Sequence, residues 1–209
     1  MNGPRRAMPA TIVYLHGFRS SPQSAKAQCF VRAVAALPSA VRPRLNVPAL
    51  TAAPAAAVAS VAAWIERHVG TGAASALTLI GSSLGGYYAT VLAERFGARA
   101  ALINPAIRPF DDLKDYVGVQ ENLYSGERFE VTAAHFAELA AMRVPRITRP
   151  ERYLLLQRSG DEVLDWREAV AFYAGAAQYV AGGGDHGWVD FDAEVPAVLR
   201  FAGVNLPPS

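Results

Sequence analysis

The chain predicts a three-layer α/β fold, a compact and mostly parallel sheet of about six strands flanked by helices, with a small helical insertion. Three observations lead there. Apolar runs such as "TIVYL" at Thr11–Leu15, "LTLI" at Leu77–Ile80 and "YLLLQ" at Tyr153–Gln157 are continuous rather than alternating, the pattern of strands covered on both faces. Segments of helical periodicity separate these runs. At 209 residues, 52% of them hydrophobic and 18% charged, the chain suffices for one domain with a substantial core and is short for two.

Each element has its own signal. Thr11–Leu15 is rich in β-branched residues and stops at His16-Gly17, as a first strand would. Ser24 reads as the N-cap of a helix running to about Leu37. Arg44–Val47 is a weaker strand candidate. Ala55–Val69 carries Val58, Val61, Ile65 and Val69 at helical spacing, with Pro54 suited to the first turn. The strand Leu77–Ile80 is followed by a helix over Ser83–Phe96 that stops near Gly97. Ala100–Asn104 is the next strand, closed by Pro105. Then come Tyr153–Gln157, a helix over Trp166–Tyr173, a short strand near Ala177–Val180 and a last helix over Ala193–Phe201. The rhythm breaks only between Arg108 and Pro150. Connections that long are seldom plain loops, and Phe136, Leu139 and Ala140 stand at helical spacing within it. The expectation is a single domain over 1–209 with a lid insertion at about 108–150, above the carboxyl ends of the strands.

Several function classes are disfavoured. The net charge of +2 comes with no dense Lys/Arg cluster, so a nucleic-acid partner is not expected. One cysteine, Cys29, allows neither an internal disulfide nor a cysteine zinc cage. Lying among Phe30, Val34 and Leu37, it reads as a small buried hydrophobe. Arg5 and Arg6 precede apolar residues, as in a secretory leader, but Pro9 breaks the run and no small-residue cleavage site follows. No apolar run approaches the roughly 18 residues of a membrane helix. A cytoplasmic protein without a membrane partner is expected.

The chemistry concentrates at Gly81-Ser82-Ser83-Leu84-Gly85, which fits G-x-S-x-G with Ser83 at its centre. A serine held on a tight strand-to-helix turn brings the residues two before and two after it against neighbouring backbone, where a side chain would clash. Gly81 and Gly85 suit that crowding. The hydroxyl then stands at a helix N-terminus, where free N–H groups favour negative charge. The bland alternative is a helix capped by Ser82 or Ser83.

A serine hydroxyl needs a base, and behind such a turn the acid and then the histidine follow later in the chain. Of four histidines, only His186 lies beyond the last strand, in the glycine-rich loop "AGGGDHGW". His68 falls at a helix end and His135 in the insertion, where surface or packing roles fit better. Asp161, directly after Gly160, is placed to reach His186. Asp165 is the other candidate acid, although it more naturally caps the helix starting at Trp166. Asp185 is adjacent to His186 and poorly placed to orient its ring. An oxyanion needs two donors: the Leu84 backbone N–H is one, and Phe18 N–H, in the loop "YLHGFRSS" that Gly17 lets approach, is the other. His16 is then structural or supporting.

Taken together, "YLHGFRSSPQSAKA", "IGSSLGGYYAT", "NPA" at Asn104–Ala106, "GDEVLD" and "GGGDHGW" resemble the α/β-hydrolase superfamily and, within it, the YqiA-like small bacterial esterases. The blocks span Tyr14 to Trp188. Trp188 departs from the Phe expected in relatives, and the insertion matches less closely. The resemblance implies Ser83, Asp161 and His186 as catalytic residues, a sheet lacking the first strands of larger hydrolases, and carboxylic-ester hydrolysis with acyl-CoA thioesters or short esters as substrates. No cofactor and no metal are expected. Arg19 and Lys26 could attract an anionic substrate, but read more simply as solvated surface cations. A non-catalytic ligand- or partner-binding protein and an acyltransferase are the rival functions.

Overall fold

The computed structural model describes residues 10–70 and 74–206; Arg5, Arg6 and Pro9 lie outside them. Six strands form one sheet in the order β2-β1-β3-β4-β7-β8, every neighbouring pair parallel. They are β1 (Thr11–Leu15), β2 (Arg44–Asn46), β3 (Leu77–Ser82), β4 (Arg99–Ile103), β7 (Tyr153–Arg158) and β8 (Ala177–Ala181). The central strands β1 and β3 are buried along their whole length because both faces are covered. Ile12 and Tyr14 of β1 pack on one side with α1 (Ala25–Ala36) and α7 (Val195–Phe201), whereas Val13 and Leu15 pack on the other with α2 (Pro54–His68) and α3 (Leu84–Phe96). With α6 (Trp166–Phe172) on that second side through Ala169, the three expected layers are complete.

Local signals place the helix ends well. Pro54 begins α2, and Gly97 closes α3 in the left-handed conformation with φ 68°. Ser24 does occupy the N-cap of α1, but its side chain makes no capping bond. Its carbonyl instead accepts the Gln28 N–H at 2.9 Å. The last α-helix starts at Val195 rather than Ala193, because a short 3-10 turn over Phe191–Glu194 precedes it.

The insertion holds the expected helix and, beyond the small helical lid expected, a β-hairpin. It holds the single-turn α4 (Pro109–Asp112), an antiparallel hairpin of β5 (Gly118–Glu121) and β6 (Arg128–Val131), and then α5 (Ala133–Ala141). The expected helix is α5, which carries Phe136, Leu139 and Ala140. The hairpin forms because "GVQE" and "RFEV" alternate around a turn closed by Asn122 N–H to Glu127 O at 2.8 Å and Gly126 N–H to Asn122 O at 2.9 Å. No helix among the described residues is long and apolar enough to cross a membrane.

Candidate active site

Ser83 follows the last residue of β3 and sits at φ 56°, ψ −125°, a region a non-glycine residue enters only when its surroundings force it. The forcing contacts are explicit. Ser83 N–H donates to Ile103 O at 3.1 Å, while its carbonyl accepts from Gly86 N–H at 2.8 Å and Ala106 N–H at 3.1 Å. The flanking glycines are required by space. A Cβ on Gly85 would lie 2.0 Å from Leu15 O, and one on Gly81 would lie 2.2 Å from Gly85 O. Ser83 makes no side-chain capping bond to α3, so its hydroxyl is not spent on helix capping.

The His186 ring is oriented through Nδ1, which lies 2.8 Å from Asp161 Oδ2 and 3.0 Å from Oδ1. Asp161 leaves β7 in a tight turn, its Oδ1 accepting the Val163 N–H at 3.0 Å and the Leu164 N–H at 2.9 Å. Burial pushes the Asp161 pKa up, but the hydrogen bond and charge of His186 and the two N–H donors outweigh it and hold the carboxyl below its usual value. With Nδ1 turned to the carboxylate, Nε2 is the free ring nitrogen. Asp165, the rival acid, caps α6 by accepting the Arg167 N–H at 3.0 Å. Asp185 accepts the Trp188 N–H at 2.6 Å, stabilising the turn instead of orienting its neighbour's ring.

The backbone around His186 is gripped by residues whose roles were not read from the sequence. Asn104, fully buried at φ 41°, donates from Nδ2 to His186 O at 3.0 Å and accepts the Arg158 N–H at 2.9 Å. Glu162 Oε2 accepts the His186 N–H at 2.9 Å. Lys26 Nζ donates to the Gly187 carbonyl and lies 3.5 Å from His186 O. Burial lowers the Lys26 pKa to about 8, against the opposing pull of Asp185 and Asp161. Lys26 and Arg19 are therefore not the free surface cations expected: Arg19 Nε donates to Glu121 O at 3.0 Å. The only available sequence signal was the "NPA" block, which marks Asn104 without giving its role.

Neither proposed oxyanion donor, Phe18 N–H nor Leu84 N–H, has a hydrogen-bond partner among the described residues. Leu84 is the first residue of α3, where N–H groups are orphaned by geometry. Beside Phe18, buried His16 accepts the Leu50 N–H on Nε2 at 3.2 Å and turns Nδ1 to Gly17 O at 3.1 Å. Burial lowers its pKa, and these partners suit the neutral Nδ1-protonated ring. His68, at the exposed end of α2, stacks on Trp64 at 4.5 Å. His135 accepts the Thr132 N–H at 3.2 Å in the cap of α5. Cys29 is buried.

Ser83 and His186 line one cavity of about 250 Å³, with Tyr14, Ser24, Lys26 and Tyr124 around them. A second, of about 120 Å³, lies on the Leu84 side and is walled by Leu50, Tyr88 and Phe129. Gly17, Phe18 and Ser20 belong to both walls. Among the described residues, no group of three or more His, Cys, Asp or Glu side chains could hold a metal ion.

Solved structures share this architecture. Est1E from Butyrivibrio proteoclasticus, in a structure with bound ferulic acid, superposes with a TM-score of 0.69 at 15% identity, covering 96% of this chain and 91% of that one. The esterase domain of a Rhodothermus marinus protein gives 0.65 at 17% identity, with 94% and 89% covered. The α/β hydrolase domain-containing protein 10 from mouse gives 0.67 at 16% identity, with 97% and 92% covered. At these identities the likeness speaks for the α/β-hydrolase fold. The sequence match is more specific and runs from the first residue of β1 to just past α7: the chain belongs to the Uncharacterised protein family (UPF0227), whose profile matches residues 11–203.

Proposed function

We propose that the protein is a serine esterase, hydrolysing carboxylic esters through an acyl-enzyme on Ser83. One observation carries the reading: a serine held at positive φ between β3 and α3 shares a cavity with a histidine whose other nitrogen is held by a carboxylate. The esterases that share the fold agree with it.

In the reaction, His186 Nε2 takes the Ser83 proton as Oγ attacks the ester carbonyl. The carbonyl oxygen, now negative, is stabilised by the Phe18 and Leu84 N–H groups, neither of which has another partner to leave. Asp161 keeps the Nδ1 proton in place and stabilises the imidazolium. His186 passes the proton to the departing alkoxide, then activates water to release the acid. The small cavity behind Leu84, walled by Leu50, Tyr88 and Phe129, suits a short acyl group. The larger one beside His186 suits the leaving alcohol.

A fluorescent fluorophosphonate tests the nucleophile. Wild type and Ser82→Ala should label and Ser83→Ala should not, with kcat on a short-chain p-nitrophenyl ester falling by about 10⁴-fold or more in Ser83→Ala. Equal labelling of Ser83→Ala would overturn the assignment. The same ester series beside its thioester counterparts then sets the acyl length and the preferred bond.

A further inference from the structure

The loop that carries Phe18 has two anchors of different kinds. On its inner side His16 is tied to the segment after β2 by accepting the Leu50 N–H, while its Nδ1 turns to the neighbouring Gly17 O. On its outer side, every hydrogen bond that Arg19 and Ser20 make among the described residues goes to the β5–β6 hairpin. Leu123 N–H donates to Arg19 O at 2.8 Å, Asn122 Nδ2 donates to Ser20 O at 2.7 Å, and Arg19 Nε donates to Glu121 O at 3.0 Å. The Phe18 ring is edge-on to Tyr116 at 5.4 Å and to Phe129 at 5.9 Å. Arg19 itself stands at φ 54°, a conformation that persists only where its surroundings over-determine it.

We infer that the hairpin positions the oxyanion donor: Asn122 and Phe129 are positioning residues that hold the Phe18 N–H where the reacting oxygen needs it. This rests on the reading of Phe18 as a donor in an esterase. Asn122 is suited to the task because one amide serves two ends. Its Oδ1 closes the hairpin turn by accepting Tyr124 N–H at 2.9 Å and Ser125 N–H at 3.1 Å, while Nδ2 reaches across to the loop. Cover and oxyanion hole are thus one device. A hairpin lifted from the site withdraws the tethers of the donor loop, and hydrolysis proceeds only with the cover seated. Loosening it therefore weakens transition-state stabilisation while ground-state binding survives.

The test compares Asn122→Asp, which keeps the turn acceptor and loses the donor to Ser20, with Phe129→Ala, which carries no new charge. Val119→Ala, at an exposed position of the same hairpin, is the control. In both positioning variants kcat should fall roughly tenfold or more, part of the 10²–10³ that loss of one oxyanion donor costs. KM stays within about twofold in Asn122→Asp, whereas Phe129→Ala also opens the acyl-side cavity and is read on kcat. The inhibition constant of a trifluoromethyl ketone should rise by the factor that kcat/KM falls. Amide exchange over residues 17–20 should accelerate in both variants and not in Val119→Ala. Unchanged exchange, or a KM rise with wild-type kcat, overturns the positioning role. A wild type that neither labels with fluorophosphonate nor hydrolyses esters overturns the esterase reading and this role with it. Labelling with wild-type kcat in both variants overturns the positioning role alone.

Discussion

At the carboxyl ends of the strands stand Arg19, Ser83, Asn104 and Trp188, which are all of the described non-glycine residues with positive φ. At the amino ends no described non-glycine residue has positive φ, and one carboxylate gathers several polar side chains. Glu94, late in α3, accepts Thr148 Oγ1–H at 2.6 Å, Thr148 N–H at 3.2 Å and the Tyr153 hydroxyl, with Arg152 at 3.6 Å. Strained residues cost about 1–3 kcal/mol each, and here they gather on one edge. The difference separates two uses of the same sheet: one edge holds the fold together, and the other spends stability around the cavity that Ser83, Phe18 and His186 line.

The largest blow to this contrast comes from Gly85→Ala. Its methyl has no room beside Leu15 O and His16 O, so β1, the elbow and the Phe18 loop must all shift. A loss of about 3 kcal/mol or more in urea unfolding is expected, together with loss of fluorophosphonate labelling. Wild-type stability would mean that the packing of the elbow is looser than described.

Next in size is Glu94→Ala, which leaves the Tyr153 hydroxyl and Thr148 without their acceptor. Roughly 2 kcal/mol of stability should go, with kcat unchanged because the site lies at the other edge. A fall in kcat would erase the division of labour. The same carboxyl gives a pH signature. Burial raises the Glu94 pKa, but the hydrogen bonds from Thr148 and Tyr153 and the charge of Arg152 bring it below the usual value. Its stabilisation is therefore complete above the unfolded carboxyl pKa, near about 4.3, and drains as pH falls through the lower folded value. Glu94→Gln should flatten that part of the acid limb in a stability–pH curve. Asp161 has the same sign, so a residual slope remains in that variant.

A smaller effect, of opposite sign, sharpens the comparison. Ser83→Gly removes the Cβ from a residue at φ 56° and should raise stability by about 1 kcal/mol while abolishing ester hydrolysis. A lower melting temperature would mean that the turn is not strained. Smallest is Arg95→Ala, which breaks the exposed 2.9 Å pair with Glu66; less than about 0.5 kcal/mol should change.

Much of this was legible in the chain because a parallel sheet covered on both sides writes itself as continuous apolar runs. Gly81, Ser83 and Gly85 were legible because the elbow demands glycine at fixed offsets, and close contacts bear that demand out. Which of Asp161 and Asp165 meets the His186 ring depends on tertiary geometry, since both stand on the same connection after β7. The hairpin escaped because it is half exposed: Val119 and Leu123 face outward, and a short two-stranded ribbon with Glu121, Arg128 and Glu130 gives little apolar periodicity. Its turn signals, Asn122 and Gly126, were present. The grips of Asn104, Glu162 and Lys26 on the His186 loop join residues far apart in sequence. No local rule reports such contacts.

The strand order carries a consequence for biosynthesis. β1 to β4 are contiguous in the sheet, and β7 and β8 are added at one edge from the last third of the chain. A ribosome releasing the chain from its N-terminus therefore delivers the Ser83 elbow well before Asp161 and His186. On the proposed function, the nascent polypeptide carries a nucleophile without its base until the final two strands dock, and reactivity is the last property that synthesis completes.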